Sequence, residues 1–412
     1  MKSDLMGGVR PRSYALDLFS GAGGLSLGLA AAGVRFAAAV DSDPRALATL
    51  RLNSRVRPLT TVCRDIRKFG PRQMQARLRA LSPRITIDWI VGGPPCQGWS
   101  TIGRAKLRSL GRLADEGPAY HEPRNRLYRS FLGYVAHFRP KFFLMENVPG
   151  MRSYNGDDHA LDIREQFSSL GYEVTLSMVD CHRLGLPQRR RRIAFVGIRE
   201  DLRAKFTKPR GPPRDLGIRG NPPVVRDAIA DLPRVPVGSD RTPIPYSRPE
   251  EPSSYLELMR PEWMNGSIDR HVTRWHGPKD LLAFRTLEQG GIYSDLPENL
   301  RRYRSDIFRD RFRRLAWREP APCLTAHLAK DCYSHIHPSQ ARTISVREAA
   351  RLQSFPDWYS FEGAMGDVFR QIGNSVPPLA AYALGRGIQR AVGDTPTSTW
   401  ADFGERIGKV RP

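Results

Sequence analysis

An apolar run at residues 85–91 stops abruptly at Gly92-Gly93-Pro94-Pro95-Cys96-Gln97-Gly98-Trp99-Ser100. The run is short and rich in Ile, Trp and Val, so it reads as a buried strand. Two glycines followed by two prolines end it sharply. A strand that delivers a cysteine onto a proline-stiffened loop leaves few fold choices. In open α/β sheets, ligands bind in the crevice beyond the carboxyl ends of the strands. A free cysteine is often a small apolar core residue, but a core cysteine needs no such loop. Cys96 is therefore the first candidate for chemistry.

Residues 14–18 form another short strand. From it Phe19-Ser20-Gly21-Ala22-Gly23-Gly24-Leu25-Ser26-Leu27-Gly28-Leu29 turns into a helix that reaches Ala32 and stops at Gly33. This is the opening strand–turn–helix of a Rossmann-like unit, where glycines admit a ligand and the helix N-terminus offers free N–H groups. Gly28 comes too late for G-x-G-x-x-G spacing, and a plain tight turn would use the same residues. The second strand, 36–40, ends at Asp41-Ser42-Asp43-Pro44. Asp41 stands where an acid accepts ribose hydroxyls. Asp43 before Pro44 suits a helix N-cap, and both readings can hold together. A helix at 45–53 follows, then a strand at 61–63 ending at Asp65-Ile66. Further strands fall at 141–145, 172–179 and 193–198, the last two as a late hairpin. Glu146-Asn147-Val148-Pro149-Gly150 again sits at a strand's carboxyl end. Four arginines, Arg189 to Arg192, lead directly into the last strand, so alternate ones must point to opposite sides. Arg190 and Arg192 form the pair that can face the Cys96 and Glu146 loops. Residues 101–122 read as a mobile basic loop beside the cysteine, and 127–138 has helical spacing.

With 412 residues the chain can bury a full core without disulfides. Its 5 cysteines include no Cys-x-x-Cys pair, so neither a disulfide scaffold nor a zinc ribbon is expected, and no metal site. That fits a reducing, cytoplasmic compartment. Residues 1–13 lack the apolar core of a signal peptide, and no run approaches a membrane span. The formal net charge of +23 points to a polyanionic partner, nucleic acid above all. From about residue 201 the composition shifts to Pro, Gly and Arg with few periodic runs. The expected organisation is a first domain at 1–204, a smaller, irregular domain of short strands and loops at 205–340, and a segment at 341–412. In that last segment a helix is expected at 345–352. Gln371-Ile372-Gly373-Asn374-Ser375-Val376-Pro377-Pro378 should open a final apolar helix at 379–391, and the tail from Gly393 should be frayed.

The ordered set Phe-Ser-Gly-Ala-Gly-Gly, Pro-Pro-Cys-Gln, Glu-Asn-Val, Gln-x-Arg-x-Arg, Arg-Glu-Ala-Ala-Arg-Leu-Gln-Ser-Phe-Pro and Gly-Asn-Ser-Val-Pro-Pro resembles DNA (cytosine-5) methyltransferases of the bacterial modification type. It spans about residues 14–392. The resemblance implies a Rossmann-like, mixed-sheet catalytic domain that uses S-adenosyl-L-methionine, with 205–340 as the target-recognition domain and 341–412 returning to close the cofactor site. It implies double-stranded DNA as partner, a flipped cytosine, a separately acting restriction endonuclease, a monomer, and a bacterial, nucleoid-associated location. Carried over residue by residue, Cys96 matches the nucleophile, Glu146 the acid on the cytosine edge, and Arg192, with Arg190 nearby, the base-contacting arginine. Phe19, Ser20, Gly21, Gly23, Gly24 and Leu25 match the cofactor loop. Asp41 matches the ribose acid, Asp65 and Ile66 the adenine contacts, and Leu127 an apolar adenine neighbour. Asn374, Ser375 and Val376 match the segment near the methionine end. Pro94 and Trp99 stand where Phe is common, Arg64 where Gly is common, and Cys323 where Thr is frequent.

The implied chemistry is demanding. Cytosine C5 is a weak nucleophile until a thiolate adds at C6 and makes the ring an enamine. The thiol needs a setting that favours the anion, the acid at ring N3 needs a raised pKa, and an arginine can stabilise charge at ring O2. A base inside a duplex is out of reach and must be flipped. Three alternatives stay open on the sequence: methylation of RNA, a catalytically silent DNA-binding paralogue, and a nicotinamide dehydrogenase suggested by the glycine turn. Intact Cys96, Glu146 and 188–192 argue against silence, and the late Gly28 argues against the dehydrogenase. The Cys-Phe-Thr signature of the family's transfer-RNA enzymes is absent.

Overall fold

The computed structural model describes residues 12–53, 55–95, 126–152, 158–218, 220–264, 266–301, 312–394 and 399–408. A seven-stranded sheet organises it: β1 (Arg12–Leu18), β2 (Phe36–Asp41), β3 (Thr60–Cys63), β4 (Ile85–Gly92), β5 (Phe142–Asn147), β6 (Tyr172–Asp180) and β7 (Arg191–Arg199). Their spatial order is β3-β2-β1-β4-β5-β7-β6. The pairs among β1 to β5 are parallel, and β7 runs antiparallel to both of its neighbours. This is a Rossmann-like mixed sheet, and the late hairpin is present. Among residues 36–41 every position but Asp41 is buried, as a parallel strand covered on both faces requires.

Helices cover the two faces. α1 (Gly24–Ala31) is buried along its whole length between the sheet and a C-terminal helix. A Cβ on Gly28 would stand 2.1 Å from the Pro378 carbonyl oxygen. The late glycine therefore serves close helix packing rather than a phosphate loop. α2 (Pro44–Leu52) is capped by Asp43, whose carboxylate accepts the Arg45 and Ala46 N–H groups. α3 (Pro71–Leu81) and α4 (Tyr128–Phe138) pack on the face opposite α1, and α5 (His159–Ser168) lies against β6. The sequence reading leaves α3 and α5 unassigned. Both had local signals: Pro71 at the first turn with Met74 and Leu78 one turn apart, and Asp158 capping α5.

Residues 205–340 contain short elements: α6 (Val225–Ile229), a hairpin of β8 (Ile244–Tyr246) and β9 (Gly266–Ile268), α7 (Ser254–Met259) and α8 (Pro278–Thr286). Buried residues between Val225 and Val272, and Leu315 to Cys332, share one core with 344–388, while Ala283 to Phe312 with Ile336 form a small separate cluster. α9 (Val346–Leu352) starts at a Ser345 capping box, in which Glu348 closes back on the Ser345 N–H. Residues 371–374 do not open the final helix. They close α10 (Met365–Asn374), and α11 (Pro378–Ala391) follows. Nor is the tail beyond Gly393 wholly frayed: α12 (Trp400–Gly408) buries Trp400 and Phe403, and the Trp400 indole donates to the Leu258 carbonyl at 3.1 Å.

Candidate active site

The first five strands all point their carboxyl ends to one side, and there the turns after β1, β2, β3, β4 and β5 gather. Because β7 is antiparallel, its beginning lies at that same side: Asn147 pairs with Ile193 and Glu146 with Ala194. The strand direction is what brings Arg192 to Glu146. Arg192 Nε stands 2.8 Å from Glu146 Oε1, with both side chains largely buried. The contact is a close ion pair between a guanidinium and a carboxylate that are both mostly shielded from water. Burial pushes the Glu146 carboxyl above its ordinary range, against the pull of Arg192 and Arg190.

Glu146 meets the loop after β4 at Gly93, where an added Cβ would lie 3.3 Å from Glu146 Oε2 and 4.0 Å from a Val376 methyl. Three of the sequence motifs converge at that point. Asn147 holds the same loop: its amide donates to the Pro94 carbonyl at 3.3 Å, and its oxygen accepts the Val148 N–H. Cys96 and the 101–122 loop lie outside the described residues. The chain enters residue 96 from Pro95, three residues past Gly93 and its Glu146 carboxylate.

The alternation of arginines holds. Arg189 and Arg191 are exposed, Arg190 is buried, and Arg192 is half-buried. Arg190 is nevertheless held by the fold through both terminal nitrogens, while its Nε is buried without a partner. It donates to the Leu324 carbonyl at 2.9 Å and the Ser375 carbonyl at 3.0 Å, and touches Cys323 Sγ at 3.6 Å. Gln188 works beside it, accepting the Leu324 N–H and donating to the Leu352 carbonyl and Gln353 Oε1. Gln353 closes the ring by donating to the Ser375 carbonyl at 2.6 Å. The Gln-x-Arg-x-Arg motif thus clamps the segment at 323–324 to the Asn-Ser-Val segment and leaves Arg192 as its one member on the carboxylate.

The turn after β1 forms a cradle. Phe19, Gly21 and Gly23 all take positive φ. A Cβ on Gly24 would strike the Val376 carbonyl oxygen at 2.3 Å, so the C-terminal segment lies directly on the turn. Asp41 ties the first two turns together: it accepts the Gly21 N–H and the Asp43 N–H, each at 2.8 Å. Burial raises its pKa. Ser20 Oγ is buried with no protein partner, and Gly21 has open space around it. An unsatisfied hydroxyl beside an open glycine turn fits an amino-acid or nucleoside ligand. Ile66 and Leu127 belong to one apolar cluster, with Phe19 packed against it. Asp65 is less available: Arg67 grips its carboxylate through side-chain and backbone hydrogen bonds and holds it at about 2. Leu25 is buried in α1, Ser375 is buried, and Asn374 is exposed.

One residue escaped the sequence reading. Asp17 sits on β1, fully buried, and accepts the Ser26 hydroxyl at 2.5 Å; its second oxygen has no partner. Burial pushes its pKa up to about 7. An acid inside a strand ending in a glycine turn was the available signal. Among the described residues no group of His, Cys, Asp and Glu is arranged to hold a metal, and no helix is long and apolar enough to cross a membrane. Cys63, Cys181, Cys323 and Cys332 are free thiols.

A glycine cradle at the head of a Rossmann-like sheet, a late antiparallel strand and a buried carboxylate–guanidinium pair define a methyltransferase fold. The model of the C-5 cytosine-specific DNA methylase family matches residues 14–390, and the chain belongs to that family. It is 31% identical to Type II methyltransferase M.AgeI of Thalassovita gelatinovora, over 92% of this chain and 99% of the relative. It is 32% identical to Type II methyltransferase M.XorII of Xanthomonas oryzae, over 93% and 86%. A solved E. coli prophage protein, described as a candidate DNA modification methyltransferase, superposes with a TM-score of 0.71 at 27% identity, covering 93% of this chain and all of that one. Dnmt2 of S. pombe shares the fold, with a TM-score of 0.54 at 15% identity. The chain is a DNA cytosine C5 methyltransferase, and the dehydrogenase alternative falls.

Proposed function

We propose that this methyltransferase acts on a flipped cytosine in duplex DNA through a transient bond from Cys96, as the modification enzyme of a bacterial restriction–modification pair. The observation that carries the reading is the buried Glu146–Arg192 pair beside the loop leading to Cys96. When bound, S-adenosylmethionine supplies an electrophilic sulfonium methyl. Ser20, Gly21, Asp41, Ile66 and Leu127 are the residues that would hold it, with Asn374 to Val376 closing over them.

In this reading the Cys96 thiolate forms a bond to C6, and the ring electrons move toward N3. Glu146 meets that charge with a proton, which its raised pKa keeps available. Arg192 lies beside Glu146 and supports negative charge at ring O2. C5 would then take the methyl carbon as that carbon's bond to the sulfonium sulfur breaks, leaving a neutral thioether. A base takes the C5 proton, the C5–H electrons close the C5–C6 double bond and expel the thiolate, and N3 returns its proton to Glu146. Arg190 is a positioning residue, since its two terminal nitrogens are engaged by the Leu324 and Ser375 carbonyls. Residues 205–340 carry target recognition, with the separate apolar cluster of Ala283 to Phe312 and Ile336 as the part outside the main core. The test is a duplex with 5-fluorocytosine at the target, found first by methylation mapping. Wild type should form a covalent adduct that survives denaturation, and Cys96→Ser should bind cofactor but form none. An adduct with Cys96→Ser would overturn the assignment.

A further inference from the structure

Residues 45–84 hold eleven Lys and Arg side chains and a single acid, Asp65. Forty residues thus carry +10 of the net +23. A uniformly Arg-rich composition would not concentrate charge in this way. All eleven basic residues are exposed. They flank β3, the edge strand of the sheet: Arg45, Arg64, Arg67, Lys68 and Arg72 lie toward its carboxyl end, where Arg45 pairs with Asp367 and Arg67 with Asp65, while Arg51, Arg55, Arg57, Arg77, Arg79 and Arg84 lie toward its amino end.

Two of them show how close the two helices bring their guanidinium groups. Arg51, near the end of α2, donates to Thr61 Oγ1 at 3.2 Å, and Arg77 of α3 donates to Thr60 Oγ1 at 2.8 Å. Helices on opposite faces of the sheet therefore lay arginines over adjacent residues of one edge strand. Arg55, Arg57 and Arg84 extend this ridge into the α2–β3 and α3–β4 connections, and Arg79 adds to it from the last turn of α3. Arg55 also donates to the Arg406 carbonyl at 2.8 Å, which brings the end of α12 to the same place. Arg57, Arg79 and Arg84 make no ion pair among the described residues.

Position separates this ridge from the active site. β2, β3 and β4 are parallel members of the sheet, so the connections entering β3 and β4 lie at the strands' amino ends. Asp41, Gly93 and Glu146 lie at the carboxyl ends. A duplex held over Glu146 cannot reach Arg57, Arg79 and Arg84 without bending around the sheet. Charged edges also deter strand-to-strand association, but one or two charges suffice for that.

We propose that this amino-end ridge at the β3 edge is a second, sequence-independent surface for the phosphate backbone of duplex DNA. The proposal takes from the preceding section only that duplex DNA is the substrate. Nonspecific DNA vastly outnumbers target sites, so it is the polyanion that such a surface meets first. A second segment held there would keep the enzyme near DNA while the active site releases one stretch and engages another.

The test compares wild type with the triple variant Arg57→Gln, Arg79→Gln, Arg84→Gln, using a cytosine-free dA·dT duplex that cannot be a substrate. Each lost phosphate contact should lower the slope of log affinity against log salt by about 0.9, hence between about 1 and 3 for the triple. Low-salt affinity should fall roughly tenfold or more. The matching Arg→Lys triple should keep both, because a phosphate contact needs charge rather than a planar fork. Turnover on a short duplex carrying only the target should be unchanged in all three proteins. A wild-type slope and affinity in the Gln triple would overturn the proposal and leave the ridge to an acidic protein. An equal loss of turnover on the short duplex would overturn it as well, by placing these residues in the substrate cleft.

Discussion

The carbonyl oxygen of Val376 occupies the place where a side chain on Gly24 would begin, 2.3 Å from the ideal Cβ position. Two motifs some 350 residues apart are thereby one surface. Gly24→Ala must push the Asn-Ser-Val segment off the cofactor turn, at a cost of about 1–3 kcal/mol for overpacking. Calorimetric titration with S-adenosylhomocysteine should show affinity reduced by tenfold or more. Wild-type affinity would mean that Asn374 to Val376 do not close the cofactor site.

Glu146 is the residue whose protonation the mechanism needs. Burial raises its pKa, so in the free enzyme it keeps its proton to higher pH than an ordinary glutamate. The protonated form is present below that raised value and is lost as pH rises through it. The kcat/KM profile should therefore carry a falling limb with a midpoint above the usual carboxyl range. Glu146→Gln should lose that limb and about 10²–10⁴-fold in kcat. A limb that persists in the Gln variant would have to belong to another group.

Arg190 and Arg192 are two residues apart but should fail differently. Removing Arg190 takes the guanidinium donor from the buried Leu324 carbonyl, at about 1–3 kcal/mol, and one of two donors from the Ser375 carbonyl, which keeps Gln353. Arg190→Ala should therefore lower the melting temperature clearly. Arg192→Ala should leave melting near wild type, lower kcat, and move the Glu146 limb upward as its cationic neighbour disappears. Matching melting losses in both variants would contradict this division of labour.

The sheet was legible because each strand is a short apolar run closed by small or polar residues. Site placement followed from the same rule, and the alternation at 189–192 needed only strand geometry. What stayed hidden was what the polar motif residues touch. Gln188, Arg190 and Gln353 look like active-site polar groups in the sequence, yet Gln188 and Arg190 satisfy buried backbone more than 130 residues away and Gln353 satisfies the Ser375 carbonyl. The helices at 71–81 and 159–168 were missed because their polar faces dilute the periodic signal to two to four buried positions each. α12 was missed because its stability comes from docking Trp400 and Phe403, which local propensity does not contain.

Asp357 balances three buried arginines. Arg351 makes paired contacts to it at 2.9 and 2.7 Å, Arg260 stands 3.2 Å away, and Arg347 3.9 Å. Asp231 is the other acid on Arg351, at 2.6 Å. Asp357→Asn would leave buried positive charge without its counterion, and breaking a buried pair this way costs about 3–5 kcal/mol. Chemical denaturation should show a loss of that size. A change below about 1 kcal/mol would mean that water reaches the cluster.

Asp17 supplies a test that does not depend on DNA. Its folded pKa is about 7 against an ordinary value of 3.8, with burial the first cause and the Ser26 hydroxyl opposing it. A raised carboxyl pKa means the folded state binds the proton more tightly than the unfolded chain does. That contribution to stability is fully present below about pH 4 and is lost as pH rises through about 7. The lost amount is on the order of 4 kcal/mol for a shift of this size. Asp17→Asn cannot ionise and should not feel it. The melting temperature of wild type minus that of Asp17→Asn, measured from pH 5 to 8 without cofactor, should fall with pH up to about 7 and level off above it. Taking the difference cancels the titration of all other groups, including the large basic excess. Parallel curves would show that Asp17 is ionised throughout, and its unpartnered oxygen would then need a cation or a donor that the fold alone does not provide.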